Sequence, residues 1–158
     1  MVGKPSSFFN SFICNSLQTH KTNRKMAQLS ELEVFRKTVY AEARGESVEG
    51  QEWVAWVIKN RASQNRSYWG GPTIKGVCLH PRQFECWNGV DDIYIGEPEV
   101  YRKVCKVVDA IYRANPSDDP TNGTDHYHNP DKEDTPSWVH NCVFVKKIGN
   151  HTFYKSKS

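Results

Sequence analysis

Tyr40-Ala41-Glu42-Ala43-Arg44-Gly45-Glu46 closes one helical pattern and leads into a second, more apolar one. Phe35 and Val39 lie seven and three residues before Glu42, so on a helix the three share one face. A carboxylate on an apolar face is unusual. Burial there favours the protonated form and raises the pKa, which suits a general acid. Spacing alone leaves a second reading open: a helix-terminal Glu paired with Arg44 or capping a neighbour, since structural ion pairs also place carboxylates at such positions.

Working back from this stretch, Ser30-Glu31-Leu32-Glu33 has the form of a capping box, with Leu29 and Val34 placed as a hydrophobic staple. Leu32, Phe35 and Val39 form the stripe that runs into Glu42, and Gly45 is expected to end the helix at positive φ. Working forward, the spacing predicts a helix from Val48 to Arg61. Trp53, Val54, Trp56, Val57 and Ile58 make it apolar nearly all round, the mark of a central buried helix. Residues 62–76 read as a Ser-, Asn- and Gly-rich loop. Its Tyr68 and Trp69 are either packing pieces or cleft walls.

Between Cys78 and Trp87, Pro81 prevents a regular helix, and Gln83 beside two rings has the chemistry of a sugar or amide pocket. Asn88-Gly89 signals a turn. A third long helix is predicted over Pro98 to Ala114, where Val100, Val104, Val107, Val108 and Ile111 form an amphipathic stripe. His126 and His128 alternate, so on a strand they face one way; a metal site there requires a third ligand, and none is near in sequence. Residues 142–148 alternate as a strand, Gly149-Asn150 is a tight turn, and His151 to Tyr154 return.

Length and composition bound the rest. The 158 residues fit one domain, read as residues 27–158, preceded by an N-terminal extension over 1–26 that is disordered or foreign to the domain. The extension's apolar cluster of Phe8, Phe9, Phe12 and Ile13 is interrupted by Asn10 and Ser11, and no small-residue cleavage site follows, so it makes no convincing signal peptide. Five Trp, seven Tyr and seven Phe are a heavy aromatic load, able to fill a core or to line a sugar cleft. A net charge of +3 is mild and fits weak attraction to an anionic polymer as well as an ordinary soluble protein. No basic run with interleaved aromatics points to nucleic acid, and no stretch is long and apolar enough for stable membrane insertion. Of the five cysteines, Cys14 falls in the extension. Cys78, Cys86, Cys105 and Cys142 allow three pairings among which the sequence does not choose.

The order of motifs from Glu33 to Lys155 resembles the SleB-like cell wall hydrolase family, which includes spore-cortex lytic enzymes and phage or bacterial muralytic domains. The matching stretches are Tyr40 to Glu46, Glu49-Gly50-Gln51, Val57 to Asn60-Arg61, Ile74-Lys75-Gly76-Val77 leading to Gln83-Phe84, Tyr127-x-Asn129-Pro130, and Ile148-Gly149-Asn150-His151-x-Phe153-Tyr154. Each is weak alone; together, in order and over most of the chain, they are specific. The resemblance implies an α+β fold, a lysozyme-like or lytic-transglycosylase-like mainly helical domain with a small β-hairpin or sheet. It implies Glu42 as the catalytic acid of a monomeric, peptidoglycan-cleaving enzyme that needs no metal or organic cofactor. Gln83, Phe84, Tyr127, Asn129, His151 and Tyr154 are the candidates for holding the glycan. Two departures stand out: Glu85 follows Gln-Phe where the family has a small Ser, and His126-Tyr127-His128 replaces a tyrosine run.

The expected reaction is cleavage between N-acetylmuramic acid and N-acetylglucosamine with a single Glu. Hydrolysis with a second carboxylate (Glu46, Glu85, Asp91 or Asp92) is the competing chemistry. A non-catalytic wall-binding or virion module and a zinc amidase are readings from other classes. Action at the bacterial wall without a convincing signal peptide fits a phage-encoded protein kept in the host cytoplasm until release.

Overall fold

The structure, a computed structural model, describes residues 28–158. The extension over 1–26, with its apolar cluster and Cys14, lies outside the described residues. Within them, helices α1 (Glu31–Ala43), α2 (Val48–Gln64), α3 (Ile74–Leu79) and α4 (Pro98–Arg113) precede strands β1 (His126–His128), β2 (Cys142–Ile148) and β3 (His151–Ser156). The strands form one antiparallel sheet in the order β1-β3-β2. This is the α+β arrangement expected.

Helix α1 starts as its capping box dictates: the Glu33 amide donates to Ser30 Oγ at 3.2 Å and the Ser30 amide to Glu33 Oε2 at 2.8 Å. Val34, Phe35 and Val39 are fully buried on its inner face. Thr38 is buried among them because its hydroxyl is satisfied twice, donating to the Val34 carbonyl at 2.7 Å and accepting from Trp87 Nε1 at 2.9 Å. The end of α1 differs from expectation. Gly45 is not at positive φ; the C-cap is Arg44 in the right-handed region, φ −58° and ψ −27°. The amides of Arg44 and Glu46 bond back to the carbonyls of Tyr40 and Ala43, and Ser47 already caps α2. The chain passes from one helix to the next with no need for a left-handed residue.

Helix α2 runs three residues past Arg61 and stops at Asn65 in the left-handed region. Its polar last turn faces the β1 end of the molecule: Gln64 Nε2 donates to Asp125 at 3.0 Å and Asn60 Nδ2 to the Thr124 carbonyl at 2.9 Å. The predicted loop over 62–76 is therefore helical at its start, contains a turn at Ser67–Trp69, and ends inside α3, which Thr73 caps. Helix α4 buries Val104, Val108 and Ile111 and is clamped to α1 by Arg36, whose guanidinium makes two 2.7 Å bonds to Asp109. Lys59 reaches from α2 to the carbonyls ending α4, including Ile111 at 2.7 Å, where a cation complements the helix dipole.

The central strand β3 joins the sheet to the helices. Phe153 is fully buried and meets Trp53 of α2 edge-on at 5.3 Å. The β2–β3 turn requires Gly149: its φ is +54°, and a Cβ there would lie 2.2 Å from Glu46 Oε2. Glu46 accepts from Asn150 Nδ2 at 2.9 Å and from the Asn150 amide at 3.3 Å. The last residue of the opening motif thus ties the hairpin to the α1–α2 junction, which fixes where His151 enters. Cys78, Cys86, Cys105 and Cys142 are free thiols. No helix among the described residues is long and apolar enough to cross a membrane.

Candidate active site

A cleft of about 760 Å³ opens beside the last turn of α1. Glu42 reaches it from α1, Arg61 from α2, and Gln83, Phe84, Glu85 and Cys86 from the segment after α3. His126, Tyr127 and Asn129 come from β1 and its exit, Trp138 from the turn before β2, and His151 from β3. Residues separated by as many as 109 positions converge because the hairpin folds back over the helix end that carries Glu42.

Glu42 does not pair with Arg44. Arg44 points outward, bonds Glu97 at 3.1 Å and lies over the Tyr40 ring at 5.3 Å. The ion-pair reading of the opening motif is overturned. Glu42 instead accepts a hydrogen bond from the Tyr127 hydroxyl at 2.8 Å, and the Cys86 thiol is a second neighbour within hydrogen-bonding reach. Burial pushes the Glu42 carboxyl above its ordinary range, and the Glu85 charge adds to the rise. The Tyr127 and Cys86 bonds and Lys132 oppose it without cancelling it. The Tyr127 hydroxyl is itself pushed well above the usual phenol value, by burial and by the Glu42 charge, so it stays protonated and remains a donor.

The other expected residues divide. Gln83 lines the cleft, with Oε1 accepting from Arg61 Nη1 at 2.7 Å. Phe84 is buried and forms part of the wall. Asn129 shapes the rim: its Oδ1 accepts from the Asp131 amide at 3.0 Å, and its own amide donates to Glu133 at 3.3 Å. His151 sits against Tyr127 at 4.8 Å, its Nδ1 buried without a partner among the described residues, and burial lowers its pKa, which favours the neutral ring. Tyr154 does not line the cleft. Strand alternation turns it away from His151 and Phe153, to stack near His128 at 5.7 Å and meet Phe144 at 6.0 Å.

Of the carboxylates considered as second groups, Glu46 holds the hairpin turn and Asp92 pairs with Lys37 at 2.6 Å. Asp91 is not part of the cleft lining, whereas Glu85 is. Sequence reasoning passed over Arg61, Trp138 and Asp125. Arg61 donates to the Asp125 carbonyl at 2.7 Å as well as to Gln83. Asp125 is buried; burial alone drives its carboxyl up, but bonds from His126, Gln64 and Ser156 outweigh that and bring it down to about 2. The signals available were a cationic residue late in an otherwise apolar helix, for Arg61, and an acid immediately before a His-x-His strand, for Asp125. Among the described residues no group of three or more His, Cys, Asp or Glu is arranged to hold a metal ion.

An enclosed carboxylic acid, raised in pKa, thus stands in a groove of aromatic and amide side chains. Comparisons with known proteins cover most of the chain. A family model described as Cell Wall Hydrolase matches residues 45–154, and the chain belongs to that family. The spore cortex-lytic enzyme of Bacillus cereus is 37% identical over 128 residues, 80% of this chain and 44% of that protein. That of Bacillus subtilis (strain 168) is 34% identical over 126 residues, 78% of this chain and 37% of that protein. The chain thus spans less than half the length of these relatives. The solved catalytic domain of the germination-specific lytic transglycosylase SleB from Bacillus anthracis is 35% identical, with a TM-score of 0.61 over 81% of this chain and 98% of that one. The catalytic domain of the Bacillus cereus SleB protein is 36% identical, with a TM-score of 0.59 over 79% of this chain and 89% of that one. The resemblance read from the motifs is confirmed, as is the mainly helical α+β organisation it implied.

Proposed function

We propose that residues 27–158 form the catalytic domain of a peptidoglycan-cleaving enzyme that acts at the bacterial wall as a monomer. It cuts the glycan strand between N-acetylmuramic acid and N-acetylglucosamine as a lytic transglycosylase. The observation that carries this reading is the environment of Glu42. It is the cleft carboxyl that burial drives toward the acid form, while Glu85 and Glu133, which share the cleft, are exposed. The likeness to the Bacillus anthracis lytic transglycosylase domain supports the same chemistry.

The mechanism follows from one acid and an internal nucleophile. Protonated Glu42 gives its proton to the glycosidic oxygen as the bond to the muramoyl anomeric carbon breaks. The resulting carboxylate, held by the Tyr127 hydroxyl, takes the proton of the muramoyl 6-hydroxyl as that oxygen attacks the same carbon. A 1,6-anhydro end forms, Glu42 regains its proton, and no water is consumed. Neutral His151 and the Gln83–Arg61 pair present polar atoms to the acetamido groups and hydroxyls of the bound strand.

Glu42→Gln tests the assignment. It should keep the fold and lower muropeptide release from purified sacculi by at least about a hundredfold, the scale of a lost general acid. Glu85→Gln should leave most of the activity. If Glu85→Gln is as inactive as Glu42→Gln, the chemistry requires two carboxylates and is hydrolytic.

A further inference from the structure

We propose that His126 is a substrate-positioning residue whose Nε2 accepts a hydrogen bond from a hydroxyl or acetamido N–H of a sugar ring stacked on Trp138. The proposal rests on the glycan-cleaving reading above and assigns to that cleft a further polar contact, separate from Glu42, His151 and the Gln83–Arg61 pair.

The imidazole is held from three sides. Its Nδ1 lies 2.8 Å from Asp125 Oδ1. The Trp69 ring meets it at 5.4 Å and 71°, and the Trp138 ring at 4.6 Å and 40°. Asp125 is a fixed anchor: it is buried, with Oδ1 also accepting from the Ser156 amide at 2.9 Å and Oδ2 accepting from Gln64 at 3.0 Å. An ionised carboxylate can only accept, so in the neutral ring the proton sits on Nδ1 and Nε2 carries a lone pair. His126 and Trp138 both line the cleft, and Nε2 is the edge left for a ligand. A flat indole beside a fixed acceptor is suited to a pyranose, whose apolar face stacks while its equatorial hydroxyls reach sideways.

Other charged and titratable groups surround the ring. Arg61 lies over Trp69 at 5.2 Å and bonds the Asp125 carbonyl, and Arg66 lies over Trp69 at 5.0 Å. Tyr154 is its register partner on β3, and His128 packs against Trp138 at 5.7 Å. Arg82, Glu85, Lys132 and Glu133 share the cleft. None of these takes the place of the Asp125 bond that fixes the tautomer.

The test is steady-state cleavage of a soluble N-acetylglucosamine–N-acetylmuramic acid tetrasaccharide by wild type, His126→Phe and His126→Gln. One net hydrogen bond corresponds to about fivefold in affinity. His126→Phe should therefore raise KM about fivefold, with a smaller change in kcat. His126→Gln, whose amide oxygen accepts, should recover part of the KM. A His126→Phe protein with native circular dichroism and wild-type KM overturns the proposal, as does a loss confined to kcat. Wild type that neither binds nor cleaves the tetrasaccharide overturns the functional reading itself. Wild-type cleavage with an unaltered KM in His126→Phe overturns this inference alone.

Discussion

Tyr127→Phe removes one hydroxyl and leaves the ring that packs on His151 at 4.8 Å and Phe153 at 5.7 Å. That hydroxyl donates to Glu42 Oε2 at 2.8 Å and stabilises the carboxylate over the neutral acid. A hydrogen bond to a charged group contributes about 1.5–3 kcal/mol, and one pH unit of titration corresponds to about 1.4 kcal/mol. The Cys86 thiol remains beside the carboxyl and offsets part of the loss, so the expected displacement is at the lower end, about one pH unit. In the proposed mechanism the working form of Glu42 is the protonated one, and it disappears as the pH rises through its pKa. Losing a carboxylate-stabilising bond raises that pKa, so the alkaline limb of the rate profile moves up. The assay is the initial rate of muropeptide release from sacculi between pH 4 and 9, with thermal unfolding as a control for the fold. An alkaline limb that stays in place, or moves to lower pH, would refute the assignment of Tyr127 as the hydrogen-bond donor to a catalytic acid.

Asp125 offers a stability test. Its folded carboxyl titrates at about 2 against an ordinary 3.8, so it adds stability above about pH 4 that is lost as the pH falls through about 2. Asp125→Asn should cost about 2 kcal/mol at pH 7 in urea unfolding, with the difference from wild type narrowing at pH 2–3; a pH-independent loss contradicts the charge-assisted network. Gly149→Ala should destabilise by about 1–3 kcal/mol and lower activity, because the new methyl collides with Glu46 Oε2 and releases the turn that carries His151; a wild-type melting temperature argues against that tie. For Glu42 the raised pKa means that the native fold favours the proton. The wild type therefore loses stability as the pH rises through that pKa, and Glu42→Gln should melt above wild type at pH 7–8 but not below pH 4. The reverse order speaks against a buried, protonated Glu42.

The elements were legible where local rules and burial agree. The capping box at Ser30, the α4 stripe through Val104, Val108 and Ile111, and the turn at Gly149-Asn150 each appear where the sequence pattern puts them. The pattern failed where tertiary contacts replace local signals. The last turn of α2 reads as a polar exit, yet Gln64 and Asn60 are polar because they bond Asp125 and the Thr124 carbonyl. Gly45 reads as a C-cap, yet Ser47 begins the next helix before a left-handed residue is needed. In the site, Glu42 was visible as a carboxylate on a buried stripe. Tyr154 belonged to a motif that includes His151, but strand alternation separates the two faces. Arg61 and Asp125 carry no periodic signal, since their roles arise from a contact between segments 64 positions apart.

In the proposed reaction one carboxyl, that of Glu42, performs both proton transfers with the substrate's own hydroxyl as nucleophile. Mass spectrometry of muropeptides released from purified sacculi tests it most directly. Wild type should yield 1,6-anhydromuramic ends, one water lighter than hydrolytic ends, and Glu42→Gln should yield none. Release of reducing muramic ends alone would contradict the claim.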